Sequence, residues 1–281
     1  MIYDKIRSYA KINVALNIIG KTSTHHKIES IIFFVSLHDN IEIKQIKSNR
    51  HNVFFYGKFS RKIHKKNTVS KLLKFLDERK LLNNKKFKIN IKKRIPTKSG
   101  LGGGSMNAAS ILKFLIEKKI VKISIKKIKN IARDIGSDVI LGMSNTNTIL
   151  TSKNEIRTFK NCRKLFTLIV KPNFGCSTKY IYSKVRKLDK AKFLNPKKKM
   201  FNIESLKKRK NSLEKIVLNK YPKLKKIKKY LERLEDPIFV RMTGSGSALV
   251  SYYYSKKQCN EARKKFKKDY KKYWCISSKT I

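Results

Sequence analysis

Four glycines in five positions, Gly100-Leu101-Gly102-Gly103-Gly104, stand between a strand pattern and a helix pattern and constrain this chain more than any other feature. Ahead of them Phe87, Ile89 and Ile91 alternate with Lys88, Asn90 and Lys92, the period of a half-buried strand that ends before Pro96. Behind them Ala108, Ile111, Leu112, Leu115 and Ile116 recur at helical spacing over Asn107 to Lys118. A plain strand-to-helix turn needs one or two glycines. Four of them, opening a helix, let the backbone adopt positive φ and approach an anion closely, while the amides and dipole of the helix start favour negative charge. The stretch Pro96 to Asn107 therefore reads as a phosphate cradle. It matches neither the Gly-x-x-x-x-Gly-Lys-Ser/Thr loop nor the dinucleotide fingerprint. Gly20-Lys21-Thr22 is set aside, because Ala15 stands where the first of those motifs needs a glycine.

The rest of the chain mixes helix and strand patterns, which gives an α+β class. Val69, Leu72, Leu73 and Leu76 mark one helix; Ile125, Ile128, Ala132 and Ile135 mark another, with Ser124 as its cap and Gly136 as its stop. Leu165 to Val170 and Ala248 to Tyr253 read as strands, and Asn211 to Leu218, Tyr221 to Leu234 and Glu261 to Lys268 as helices. With 281 residues, 40% of them hydrophobic, the chain has material for one large or two small domains with a buried core. The polar, aperiodic stretch Thr151 to Arg163 divides it into domains 1–157 and 158–281. The longest apolar stretch, Ile31 to Leu37, falls well short of the roughly 20 residues that span a bilayer, and Met1 to Ala10 lacks a signal-peptide core. A soluble, cytoplasmic protein without a membrane partner is expected. Cys162, Cys176, Cys259 and Cys275 are far apart, with no Cys-x-x-Cys pair, so reduced thiols and no structural metal are expected.

Charge bears on partners. The 70 Lys and Arg against 18 Asp and Glu give a formal charge of +52. The basic runs, among them Lys92-Lys93-Arg94, Lys197-Lys198-Lys199 and Lys207-Lys208-Arg209-Lys210, are scattered and mostly lysine. A nucleic-acid site concentrates basic residues and interleaves arginine and aromatics. No specific nucleic-acid partner is expected, only weak attraction to polyanions at low salt.

Three further segments carry chemistry. Thr243-Gly244-Ser245-Gly246-Ser247-Ala248 is a second glycine cluster before a strand. Ser8 to Leu16 places Lys11 and Asn13 among small and apolar residues, and Ile135 to Ile140 places Asp138 just beyond a helix end. Taken with two glycine loops, these supply a carboxylate to take a hydroxyl proton, a cation to hold charge, and amide nests for phosphates. That is the inventory of a phosphoryl transferase.

At these residues the chain resembles the GHMP kinase superfamily from end to end. Its three motifs occur in order: Ala10-Lys11-Ile12-Asn13, the Pro96 to Asn107 loop, and Arg241-Met242-Thr243-Gly244-Ser245-Gly246. The Gly-Leu-Gly-Gly-Gly-Ser form, Gly136-Ser137-Asp138-Val139 and Asn211-Ser212-Leu213-Glu214 resemble the members that act on a cytidine-bearing alcohol. The resemblance implies an N-terminal lobe like domain 2 of ribosomal protein S5, a ferredoxin-like C-terminal lobe, and a site in the cleft. It implies Asp138 as general base and Lys11 as the orienting, charge-balancing cation. It implies that Pro96, Thr97, Lys98, Ser99, Gly100, Leu101, Gly102, Gly103, Gly104, Ser105 and Met106 wrap the phosphates of ATP, with Ser105 toward Mg²⁺. Asn13, His26, Gly244, Ser245 and Gly246 would hold the alcohol substrate, His26 at its cytosine. A monomer or homodimer is expected.

The chain departs from the pattern in three places. Met106 replaces a second serine, Thr24-His25-His26-Lys27 replaces Gly-Tyr-His-Glu, and Ile140 replaces a proline. Two other functions compete. A mevalonate-type kinase would share Lys11, Asp138 and the loop but need no His26, and an S5-like RNA-binding protein would have no use for Asp138.

Overall fold

The computed structural model describes residues 3–23, 25–61 and 63–281. Along the chain run β1 (Asp4–Lys21), β2 (His26–Ile46), β3 (Asn52–Tyr56), α1 (Thr68–Glu78), β4 (Lys86–Lys92), α2 (Gly103–Glu117), α3 (Ile125–Ile135), β5 (Asn147–Leu150) and β6 (Ile156–Phe159). There follow β7 (Phe166–Lys171), α4 (Thr178–Ser183), α5 (Ile203–Lys207), α6 (Glu214–Lys220), α7 (Pro222–Leu231), β8 (Phe239–Met242), β9 (Leu249–Tyr253), α8 (Lys256–Asp269) and β10 (Trp274–Lys279). This is the α+β class expected. Two compact units form: Met1–Ala10, Leu37–Thr97 and Gly102–Asn145 make the first, and Lys11–Ser36, Lys98–Leu101 and Thr146–Ile281 the second. The division falls within β1 and within β2, so each unit takes part of both strands.

In the first unit β4 lies antiparallel to the C-terminal part of β2, with Ile41 opposite Ile91 and Ile43 opposite Ile89. It lies parallel to β3 on its other side, which a crossover through α1 makes possible. Alternation sends Ile89 and Ile91 inward, where they meet Leu72, Leu73 and Leu76 of α1 and Ile111, Leu112 and Leu115 of α2. Asn67 caps α1, its side chain accepting from the Val69 and Ser70 amides. The predicted α3 forms with Ser124 at its cap and Gly136 at its end.

In the second unit the sheet order is β10-β7-β9-β8, all antiparallel. Leu168, Val170 and Leu249 from its strands share a core with Leu224 and Ile227 of α7 and Phe266 of α8. β5 pairs with β6 and with the N-terminal part of β2. The aperiodic stretch Thr151 to Arg163 thus contains a strand, β6, whose alternation is too short to register. α8 begins five residues before the predicted Glu261, because Ser255 caps it, accepting from the Gln258 amide. Its run of lysines hid the narrow apolar stripe of Cys259, Ala262 and Phe266. By contrast α6 starts after the expected Asn211, at Glu214, since the Asn211 side chain turns the chain by accepting from the Leu213 amide. Among the described residues no helix is long and apolar enough to cross a membrane.

Leu112 is fully buried at the centre of the first unit's core. Leu112→Ala is expected to lower unfolding stability by about 2–5 kcal/mol, read by urea denaturation with the transition monitored by circular dichroism.

Candidate active site

The glycine-rich loop runs from the end of β4 into α2. Gly100 and Gly102 have φ of +77° and +71°, and Lys98 also takes the left-handed region at +50°. α2 begins at Gly103, five residues before the apolar periodicity starts at Ala108. Its cap, Gly102, offers no side chain, and no acid occupies the first turn. The helix start is therefore left with its partial positive charge uncompensated by side chains, as an anion site requires. A side chain at Gly103 would come within 3.0 Å of Ile95 Cγ2, and one at Gly104 within 3.2 Å of Thr68 Oγ1. Met106, by contrast, is buried beside Gly142, with its sulfur 3.0 Å from where a Cβ there would sit. It faces the packed side of the helix.

Asp138 lies in the same unit, half-buried in the turn that follows α3. The Val139 amide donates to Gly136 O and the Leu141 amide to Asp138 O, so the turn is held by its own backbone. Gly136 brings it against α2: a Cβ at this position would be 3.7 Å from Ser105 Oγ. Ser105 and Asp138 thus supply oxygen donors in one unit. Among the described residues no three His, Cys, Asp or Glu side chains gather as a metal cluster.

In the second unit the middle of the loop, Lys98–Leu101, meets the second glycine cluster backbone to backbone. The Ala248 amide donates to Ser99 O at 3.1 Å and the Thr243 hydroxyl to Gly100 O at 3.2 Å. A Cβ on Gly100 would stand 2.1 Å from Thr243 O, and one on Gly244 3.1 Å from Gly100 Cα. Lys11 and Asn13, two apart on β1, share a face. The Lys11 ammonium donates to Asn13 Oδ1 at 2.7 Å, and the Asn13 side-chain amide to Ser30 Oγ at 2.8 Å. The Asn13 backbone amide donates to Thr243 Oγ1 at 2.9 Å, and the Lys11 amide to Leu101 O. Ser245 exchanges a hydrogen bond with Thr178, and the Asn211 side chain donates to both Met242 O and Gly244 O at 2.8 Å. Lys11, Asn13 and Gly246 are therefore joined through Thr243, while Asn211 holds Gly244 and Thr178 holds Ser245. Beneath Gly246 lies the buried Cys176 thiol, pushed by burial to about 11 and so unreactive at neutral pH.

His26 begins β2, and its ring lies 5.1 Å from that of Tyr182 in α4. Burial first, and the positive charge of Lys21 second, lower its affinity for a proton. Thr24, part of the altered His26 segment, lies outside the described residues. Tyr182 carries no signal along the chain. Its six-residue helix gives too little periodicity to single it out, and only the fold brings it to His26.

Comparisons with known proteins bear on the fold and the family. The model of the GHMP kinases N terminal domain matches residues 67–150, which hold α1, the glycine loop, α2 and the Asp138 turn. Among solved structures, a 4-(cytidine 5'-diphospho)-2C-methyl-D-erythritol kinase superposes with TM-score 0.79 at 21% identity, over 99% of this chain and 100% of that one. An L. major mevalonate kinase gives TM-score 0.71 at 13%, over 99% and 95%. Fold and family model together define the two-lobed α+β GHMP kinase class.

Sequence identity goes further. The chain is 55% identical over 277 residues to the 4-diphosphocytidyl-2-C-methyl-D-erythritol kinase of Pelagibacter ubique (strain HTCC1062), covering 99% of both. It is 34% identical over 266 residues to the enzyme of that name from Clostridium perfringens (strain 13 / Type A), covering 89% of this chain and 88% of the other. The chain belongs to the 4-diphosphocytidyl-2-C-methyl-D-erythritol kinase family, and is accordingly an ATP-using kinase.

Gly100→Ala is expected to destabilise by more than the roughly 1–3 kcal/mol of a left-handed non-glycine residue, since the added carbon also meets Thr243 O. Gly20→Ala, whose Cβ would meet nothing nearer than Lys27 Cβ at 3.4 Å, should shift stability by only about 0.5 kcal/mol. Thermal melts of the two variants side by side make the comparison.

Proposed function

We propose that this chain transfers the γ-phosphate of ATP to the 2-hydroxyl of 4-diphosphocytidyl-2-C-methyl-D-erythritol, a step in non-mevalonate isoprenoid precursor synthesis. The observation that carries the reading is the uncapped start of α2 within the four-glycine run, with a carboxylate on the adjoining turn. Full-length identity to curated enzymes of that name supports the choice of substrate over mevalonate. It equally disfavours an RNA-binding role.

In this reading the division into 1–157 and 158–281 is one of motif content, the first segment carrying the nucleotide loop, while the compact units interleave across it. The Pro96–Met106 backbone, with the start of α2, cradles the ATP phosphates. Asp138 accepts the proton of the attacking hydroxyl. Lys11, fixed by its bond to Asn13, supplies a cation that orients the substrate and balances charge. Asn13 and the Gly244–Gly246 backbone hold the substrate's erythritol and phosphate portion. His26 and Tyr182 present an aromatic pair to the cytosine, a flat ring with polar edges. The oxygen donors Ser105 and Asp138 suit Mg²⁺, which takes one or two protein ligands and draws the remainder from phosphates and water. Bound there, the ion would neutralise charge on the phosphates. The same reading places the enzyme in the cytoplasm, as a monomer or homodimer, without a specific nucleic-acid or membrane partner.

The decisive assay is ATP-dependent phosphorylation of the cytidyl substrate by purified protein with Mg²⁺, beside a mevalonate control. Asp138→Asn should lower kcat by about 10²–10⁴-fold while ATP affinity stays within a few-fold. Turnover by this variant at the wild-type rate would remove Asp138 from the chemistry.

The lowered proton affinity of His26 sets a pH signature. A neutral ring keeps an acceptor nitrogen, and protonation removes it. Because the pKa is lowered from the ordinary 6.5, KM for the cytidyl substrate should rise on acidification, with the rise setting in at lower pH than for an ordinary imidazole. His26→Ala should raise KM throughout and abolish that rise.

A further inference from the structure

A buried polar cluster lies behind the passage from β4 to α2, and phosphoryl transfer as derived above makes no use of it. Asp39, in β2, is fully buried. Its Oδ1 accepts from the backbone amides of Arg94 at 2.7 Å and Ile95 at 2.9 Å. Its Oδ2 accepts from the Asn107 side chain at 3.0 Å and from the Lys93 ammonium. Lys93 Nζ also donates to Asn107 Oδ1 at 2.8 Å, and Asn107 Nδ2 reaches Ser8 Oγ at 3.0 Å. Lys93 and Asn107 are 3% and 1% exposed. All these residues belong to the first unit.

Burying a carboxylate and an ammonium costs several kcal/mol per ion in general, and well-packed apolar residues often stabilise a core as well or better. The cluster's position is therefore more informative than its contribution to stability. Asp39 binds the first residues that leave β4. Asn107 stands in the second turn of α2, so both ends of the glycine loop meet on one carboxylate. Lys93 Nζ lies 3.5 Å, and Ile95 Cγ2 3.0 Å, from where a Cβ on Gly103 would sit. The cluster thus backs the first residue of the helix. Burial lowers the proton affinity of Lys93, and Asp39 acts against that loss, so the charged pair and its full set of hydrogen bonds sustain each other.

We propose that Asp39, Lys93 and Asn107 form a clasp that fixes the β4 exit against the start of α2, holding the loop amides in the geometry the nucleotide phosphates require. They are positioning residues and touch no reacting atom. The inference rests on the kinase reading and adds what preorganises its anion site. A loosened clasp leaves every phosphate-facing amide present but requires it to be ordered by the ligand. Phosphate-dependent affinity is what falls.

The test measures affinity for ATP and for adenosine, which lacks phosphates, in wild type, Asp39→Asn and Asn107→Ala. Circular dichroism and melting temperature accompany each variant. Asn107→Ala releases α2 while sparing the Asp39 bonds to Lys93, Arg94 and Ile95, so it decides the matter should Asp39→Asn fail to fold. Folded variants are expected to bind ATP at least tenfold more weakly with adenosine within twofold of wild type, and KM for ATP should rise by more than kcat falls. A folded Asn107→Ala that binds ATP within twofold of wild type overturns the clasp. So does an equal loss for ATP and adenosine, which would mark general damage. Wild-type protein that binds no ATP would overturn the kinase reading and the clasp with it, whereas a failure confined to the variants leaves that reading standing.

Discussion

The contact between Gly100 and Thr243 is the constraint on which the second unit's share of the site depends. A hydrogen in place of a side chain lets two backbone segments 143 residues apart touch, and the Thr243 hydroxyl closes the contact by donating to Gly100 O. From there the order spreads. Thr243 fixes the Asn13 backbone, Asn13 receives the Lys11 ammonium, and Asn211 holds the carbonyls on either side of Thr243. A single carbon at Gly100 would disturb a chain of bonds reaching from β1 to the start of α6.

Charge acts on a different scale from these contacts. Most of the +52 is spread over exposed side chains, and many of its ion pairs, such as Lys74 with Glu78 and Lys264 with Glu261, are exposed and contribute little to stability. The proposed anion site is built mainly from backbone amides, whose charge is independent of pH. A diffuse positive field still raises the encounter rate with anionic ligands such as nucleotides, an effect that salt suppresses.

The legibility of the fold follows the length and amphipathicity of each element. β4, α1 and α3 were readable because their apolar residues recur over whole turns or a full alternation. The N-terminal part of β2 carries no strand signal along the chain, because it is buried on both faces and shows no alternation from Glu29 to Val35. β5 and β6, four residues each, are too short to show a period. At the site, Lys11, Asn13 and the two glycine clusters stood out because a lysine among apolar residues and glycines in series are locally anomalous. Tyr182 and Asp39 are ordinary residues in ordinary surroundings along the chain. Only long-range pairing gives them their neighbours, His26 in the one case and Lys93 and Asn107 in the other.

The interleaving of the two units bears on how the chain reaches this state. Neither unit is a contiguous segment, and the division cuts both long strands. During synthesis the first unit has all its parts once residue 145 has emerged, but Lys98–Leu101 must wait for Thr243 and Ala248 before its partners exist. Sequence separations of this size slow folding and expose unpaired strands meanwhile. Lys98–Leu101 is therefore among the last segments to acquire its final shape, after the start of α2, whose own unit has all its residues once position 145 has emerged.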